Sequence, residues 1–274
     1  MSHFYERVIN KNLSYSEEVS KIKTLFFGEK HVSTRHYYQT VSASTLIDGV
    51  YFRKLPVSAN YIHLSDMWSD LINGDELDTF VGMCEFILSI ERQLLLSNTN
   101  IRYNEESLCN KLAEIRSLIE VDLDKLNLKY EFIKTEIGVV ATIIPKDVLL
   151  ETVIGDSNSD LTQLLVKYKS LRMEGNTKGK EEILTSISKH IEPLLKDEQL
   201  KTSNKRLFDN VGFLLNNLNV RHNNIEANNV EFFNKTMKNR EQWLDDLFLL
   251  ILLVIKSKDE LVINQNINQL KAED

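Results

Sequence analysis

The chain is poor in the residues that make turns. Of its 274 residues only nine are glycine and three are proline, namely Pro56, Pro145 and Pro193. An all-β sandwich needs many tight turns, so this scarcity argues against one and for long uninterrupted helices. Cysteine is almost absent. Cys84 and Cys109 both fall inside apolar helical patterns, and they make neither a metal-ligand spacing nor a disulfide framework. Two buried, reduced thiols in a cytoplasmic protein are expected. No apolar run approaches the ~20 residues that span a bilayer. The longest, Leu247–Ile255, reads as a buried helix, and no membrane partner is expected. Residues Met1–Leu25 lack the apolar core of a secretory leader. Positive charge is not in excess either: a net charge of −7 gives no global attraction for nucleic acid or anionic lipid. Locally the balance differs, since residues 161–222 carry eleven Lys and Arg against seven Asp and Glu.

What is present is helical periodicity. Apolar residues make up 42% of the chain, ample for a core. Residues 17–27 read as a short helix, and 31–42 and 51–55 as extended segments. Asp66–Ile72 reads as a short helix stopped by Asn73-Gly74. Residues 78–95 carry one stripe through Phe80, Met83, Cys84, Ile87, Leu88 and Leu94, and 105–126 another through Leu108, Leu112, Ile115, Leu118, Ile119 and Leu123. A β-rich stretch follows, Tyr130–Ile133 and Val139–Ile144 around Gly138, which reads as a hairpin. Helices resume after the polar segment 155–159. They are expected over 160–171, from Thr177 (as the cap) to His190 or beyond, over 192–200 with a kink or break at Pro193, over 203–222, and over 241–256. The fold class is therefore mainly α: an N-terminal α+β segment with a few short strands over residues 1–155, and a helical bundle over 156–274. The role of the first segment is not legible.

The densest polar constellation is Asn216-Asn217-Leu218-Asn219-Val220-Arg221-His222-Asn223-Asn224. It sits at the end of the apolar repeat Leu207, Val211, Leu214, Leu215 and Leu218. If the helix continues, His222 falls at i+4 from Leu218 and Arg221 at i+4 from Asn217. An imidazole and a guanidinium would then stand beside packed, low-dielectric surroundings, which shift pKa values. The alternative is structural: Arg221 and His222 suit the last turn of a helix, where cations meet exposed carbonyls, Asn223 and Asn224 suit left-handed cap geometry, and Asn216, Asn217 and Asn219 suit a solvated stripe.

Other candidates are weaker. Tyr168, Lys169 and Arg172, with Lys178 and Lys180, flank the loop at Gly175. They read as an RNA-binding face, with Tyr168 stacking on a base, or as a solvated helix face. The glycine-containing stretch 174–180 lacks both the spacing and the preceding strand of a phosphate loop. His31 and His36 lie five apart, on opposite sides of a strand, and no third ligand accompanies them. Asp245 and Asp246 are expected to pair with Arg221 or Arg240. Trp68 and Trp243 are expected in the core.

The segment Ser203–Lys256, a polar cluster ending one helix and a strongly apolar helix after it, resembles the HEPN superfamily. In particular it resembles HEPN-type proteins of bacterial abortive-infection and toxin systems. Leu164–Arg172 and the helix ending Ile191-Glu192-Pro193 fit the same picture, so the resemblance spans roughly residues 157–260. Ribonucleases of that family carry an Arg, a polar residue, a short spacer and a His, acting at a dimer cleft without metal. Here His222 stands at the motif His, the motif Arg position falls at Asn216 or Asn217, and Arg221 immediately precedes His222. The resemblance thus implies an endoribonuclease acting on tRNA or mRNA in anti-phage defence. His222 would serve proton transfer, and Arg221, Asn217 and Asn216 would hold the phosphate. Asn223, Tyr168, Lys169 and Arg172 would contact RNA. It implies a homodimer, no metal and no cofactor, and an antitoxin or phage protein as a further partner. The displaced Arg and the acidic net charge favour the alternative, a non-catalytic member that binds RNA or protein as sensor or scaffold.

Overall fold

The computed structural model describes residues 14–28, 30–33, 38–41, 76–96, 103–135, 138–156, 159–218, 220 and 239–273. The described chain is mostly helical, as its turn-poor composition requires, with short antiparallel strand pairs in its first half. It divides into two compact units, Met1–Pro145 and Lys146–Asp274. The expected strand at 51–55, the expected helix at 66–72, Trp68 and His36 lie outside the described residues.

In the first unit, α1 (Tyr15–Phe27) is capped by Ser14, whose hydroxyl accepts from the Glu17 N–H. Strands β1 (Lys30–Ser33) and β2 (Tyr38–Val41) pair antiparallel, with Lys30 opposite Val41. Helix α2 (Glu76–Leu96) is the centre of this unit. The sequence shows one apolar stripe on it, yet the structure buries its whole circumference: Phe80, Val81, Met83, Cys84, Phe86, Ile87, Leu88 and Ile90 are all in the core. A helix apolar all round must be enclosed. Here α1 contributes Ile22 and Phe26, and α3 (Tyr103–Lys125) contributes Leu112, Ile115, Ile119 and Leu123. Each such side chain withdrawn from water stabilises by ~1.5–3 kcal/mol.

The expected hairpin forms β3 (Leu128–Thr135) and β4 (Gly138–Pro145), with Leu128 opposite Pro145 and Phe132 opposite Ala141. The outer edge of β4 is closed by side chains of α2. Glu85 Oε1 accepts from the Ile143 N–H at 2.9 Å. Ser89 Oγ accepts from the Ala141 N–H at 2.8 Å. Gln93 Nε2 donates to the Val139 carbonyl at 3.0 Å. Four residues of helix rise ~6 Å and two residues of strand ~6.8 Å, so a helix antiparallel to the strand stays in step with it over three contacts.

The second unit begins ten residues earlier than the boundary read near residue 155, because α4 (Val148–Asp156) belongs to it. That apolar helix was not expected. Then follow α5 (Ser159–Lys169), a 3₁₀ turn at Leu171–Met173, α6 (Thr177–Leu195), α7 (Glu198–Ser203), α8 (Lys205–Asn217) and α9 (Arg240–Glu273). The cap of α6 is Asn176 and not Thr177: its side chain accepts from the Gly179 N–H at 2.9 Å. Pro193 sits in the last turn of α6, where its missing N–H costs one bond and the helix stops two residues on. The helix expected over 203–222 is α8, which starts two residues later and ends at Asn217, while the stretch expected to continue over 192–200 is divided between the end of α6 and α7. Asp197 caps α7 through the N–H groups of Gln199 and Leu200. Asn204 leaves helical geometry before α8 begins. The last helix runs far past Lys256, to Glu273, because no glycine or proline interrupts it.

Candidate functional site

The best-defined polar arrangement gathers around the first two turns of α9, and it starts from a misfit in α6. The buried stripe of α6 is Lys180, Ile183, Leu184, Ile187 and Ile191. Its first member is a lysine, and only 6% of that residue is exposed. A buried ammonium requires anions. Helix α9 supplies them one turn apart: Lys180 Nζ donates to Glu241 Oε1 at 2.8 Å and to Asp245 Oδ1 and Oδ2 at 2.8 and 3.1 Å. Glu241 also accepts from the Gly175 N–H at 2.8 Å. Gly175 has φ +74°, a left-handed geometry that a side chain would strain. This turn aims its N–H at the carboxylate.

Burial alone would raise the Glu241 pKa. The Lys180 ammonium and the Gly175 N–H outweigh it and hold this carboxyl below its ordinary value. Glu174 goes the other way: its own burial, with the charges of Glu241 and Asp245 added, raises it against the pull of Lys180.

Two aromatic rings continue the arrangement. Tyr168 stacks on Phe248 with centroids 4.2 Å apart and planes 5° from parallel. Lys180 Nζ lies 5.6 Å from the Tyr168 ring centre, and Lys169 Nζ lies 5.5 Å from that of Phe248. The result is a column of cation, ring, ring and cation. Each end has an acidic partner, Asp245 and Glu241 for Lys180, and Asp147 for Lys169 at 3.6 Å. The Tyr168 hydroxyl donates to Asp245 Oδ1 at 2.9 Å. Burial, then the nearby acids, push its pKa up.

This placement corrects part of the RNA-face reading. Tyr168 is 2% exposed and its ring lies between Phe248 and Lys180, so no face remains for a base. Lys180 is likewise turned inward onto carboxylates. Lys169 is half-buried over Phe248. Arg172 is exposed at the 3₁₀ turn, where its backbone N–H is held by Ser170 Oγ. Asp245 pairs with Lys180 and not with Arg240, and Asp246 accepts from Gln242 within its own helix. Trp243 is half-buried and not a core anchor.

Arg240 begins α9, almost wholly buried. Its Nε donates to Glu181 Oε1 at 2.7 Å, and its Nη2 donates to the Leu218 carbonyl at 2.6 Å. Leu218 is the C-cap of α8, and the Val220 N–H returns to the Leu215 carbonyl at 3.2 Å. That six-to-one bond, with Val220 and Leu215 both buried, is a Schellman-type ending. The helix therefore stops at Leu218, and the expected links from Leu218 to His222 and from Asn217 to Arg221 reach residues outside those described. Arg221, His222 and Asn223 lie outside the described residues. Asn216 is exposed in the last turn of α8. Asn217 Nδ2 donates to the Phe213 carbonyl at 2.7 Å. Arg240 thus ties the two ends of the segment carrying Arg221 and His222 to each other.

The lysine column escaped sequence reading, but a signal exists for it. A lysine one turn before an apolar stripe, and an acidic pair four residues apart on another helix, are the two halves of a buried ion pair. Among the described residues no group of three His, Cys, Asp or Glu could hold a metal ion, and no described helix is long and apolar enough to cross a membrane. No family model matches the chain, and neither a curated protein nor a solved structure matches it.

Proposed function

We propose that the C-terminal unit is a HEPN-like, metal-independent endoribonuclease of an anti-phage defence system, acting on tRNA or mRNA in the cytoplasm as a homodimer. The observation that supports this reading most is the clamp between Leu218 and Arg240. It brings together both ends of the segment that carries Arg221, His222 and Asn223, next to Asn216 and Asn217. In the proposed reaction the ribose 2′-hydroxyl attacks the adjacent phosphorus. His222 takes the hydroxyl proton, the 2′-O–P bond forms, the P–O5′ bond breaks, and a proton passes to the departing 5′-oxygen. Arg221, with Asn217 and Asn216, stabilises the charge on the crowded phosphate. Asn223 and Arg172 contact the flanking RNA, with Lys169 at the edge. An antitoxin or a phage protein would set the level of activity.

The test is cleavage of end-labelled total tRNA and mRNA in EDTA by the wild type and by His222→Ala and Arg221→Ala. Cleavage by the wild type alone, leaving 2′,3′-cyclic phosphate ends, supports the reading. A second reading, a non-catalytic module binding RNA or protein, draws on a specific observation: Lys180 and Tyr168 spend their charge and ring faces inside the bundle. RNA or protein binding without cleavage by a folded wild type would favour it.

A further inference from the structure

Helix α9 carries more apolar surface than its own bundle covers. Its inner face is buried through Leu244, Leu247, Phe248, Ile251, Leu252 and Val254. Its outer face is not: Leu249 and Leu253 are 49% and 39% exposed, and further on Ile263 and Ile267 are 56% and 41% exposed. These four residues share one line. From Leu249 the steps are four to Leu253, three to Lys256, four to Glu260, three to Ile263 and four to Ile267. That alternation is the a/d seam of a coiled coil. A monomer would leave this seam in water along ~27 Å of helix.

The seam is complementary to itself in one direction only. Run parallel to a second copy, it would set Lys256 against Lys256 and Glu260 against Glu260. Run antiparallel about Lys258, it sets Leu249 against Ile267, Leu253 against Ile263 and Lys256 against Glu260. Each of these layers joins an a position to a d position, the pairing an antiparallel coil requires. In each chain, Lys256 also pairs with Asp259, and Glu260 Oε2 accepts from Asn204 Nδ2, so both charges are already oriented by their own subunit.

We propose that two copies of this chain associate through α9, antiparallel and centred on Lys258, each laying its turns beyond Glu260 along the exposed Leu249–Leu253 strip of the other. The seam carries this dimer by itself, so it stands whether or not the chain cuts RNA.

The test is light scattering on the full chain, with cysteine cross-linking to fix direction. The wild type should have the mass of a dimer. Ile263→Glu/Ile267→Glu should lose the dimer while keeping the helical circular dichroism signal and the urea midpoint of the bundle. Leu253→Cys/Ile263→Cys should give a covalent dimer under mild oxidation, beyond any background from Cys84 and Cys109. Ile267→Cys alone should not. A wild-type monomer, or a dimer untouched by Ile263→Glu/Ile267→Glu, would overturn the proposal. So would efficient Ile267→Cys self-cross-linking, which means a parallel pair. A monomer whose Ile263 and Ile267 bind phosphatidylcholine vesicles would overturn it in favour of a lipid surface.

Discussion

Removing the acids around Lys180 should cost more than removing Lys180 itself. The Lys180 side chain is 8% exposed, whereas those of Glu241 and Asp245 are 31% and 45% exposed. In Lys180→Met the apolar stem is kept and two carboxylates lose their cation, but water already reaches both. The cost should be about 1–2 kcal/mol, near that of a part-exposed polar group losing its partner. In Glu241→Gln/Asp245→Asn the ammonium stays buried with neither of its hydrogen-bonded carboxylates, and Glu174 remains as a nearby acid. Breaking a buried pair in that way costs about 3–5 kcal/mol. Urea denaturation of the full chain at neutral pH, following helical circular dichroism, reads the difference directly. The pH dependence gives a second check. Glu241 has a depressed folded pKa, so its stabilisation is present above the ordinary Glu range and is lost as pH falls through the folded value. The wild type should therefore weaken more steeply on acidification than Glu241→Gln does. If the acid double variant unfolds no more easily than Lys180→Met, the lysine is solvated in practice and the burial argument is wrong.

Three further outcomes follow from geometry elsewhere. Arg240→Lys should destabilise by about 1–3 kcal/mol, since one ammonium cannot replace a planar fork that serves Glu181 and the Leu218 carbonyl at once; the urea midpoint measures it. Glu85→Ala should cost about 1–3 kcal/mol by leaving the buried Ile143 N–H without its acceptor, while Glu85→Gln, which keeps an oxygen there, should recover most of it. The third concerns Glu18 and Asp122, buried and ion-paired to Lys21 and Lys125. Glu18 Oε2 and Asp122 Oδ2 have no N–H or hydroxyl donor and interact with each other, so burial and Glu18 raise the Asp122 pKa, while Glu18 is lowered. A raised acid costs stability as pH rises through its folded value. Asp122→Asn should gain on the wild type from about pH 3 to neutral pH, and urea midpoints that converge towards neutrality would refute this.

Most helices were legible because each buries a periodic stripe. The α2 and α3 helices and the hairpin were readable from periods of 3.6 and 2. The misses have separate physical causes. The full burial of α2 depends on what encloses it, which no stripe reports. The end of α8 at Leu218 is fixed by a bond from Val220 and by Arg240, 22 residues away, so no local pattern announces it. The turns of α9 past Lys256 are polar on most sides, which hides the helix although nothing interrupts it. Of the candidate site, Asn216 and Asn217 fall at a helix end that the apolar repeat, read on to His222, does not show. Tyr168 and Lys180 were misassigned because a lysine and a tyrosine beside a glycine turn look alike whether they face water or a buried acidic pair.

The ladder from Glu85, Ser89 and Gln93 also bears on how the first unit fails. A two-stranded hairpin with an apolar face has an open rim, and an open rim recruits strands from other molecules. Here the rim of β4 is sealed by side chains 46 to 58 residues away in sequence. Translation delivers α2 before the hairpin, so the seal is made before the strand that needs it. When heat or mutation draws α2 away, the Val139–Ile144 rim loses the side chains that seal it. Loss of α2 is therefore expected to open the first unit to edge-to-edge strand addition at β4.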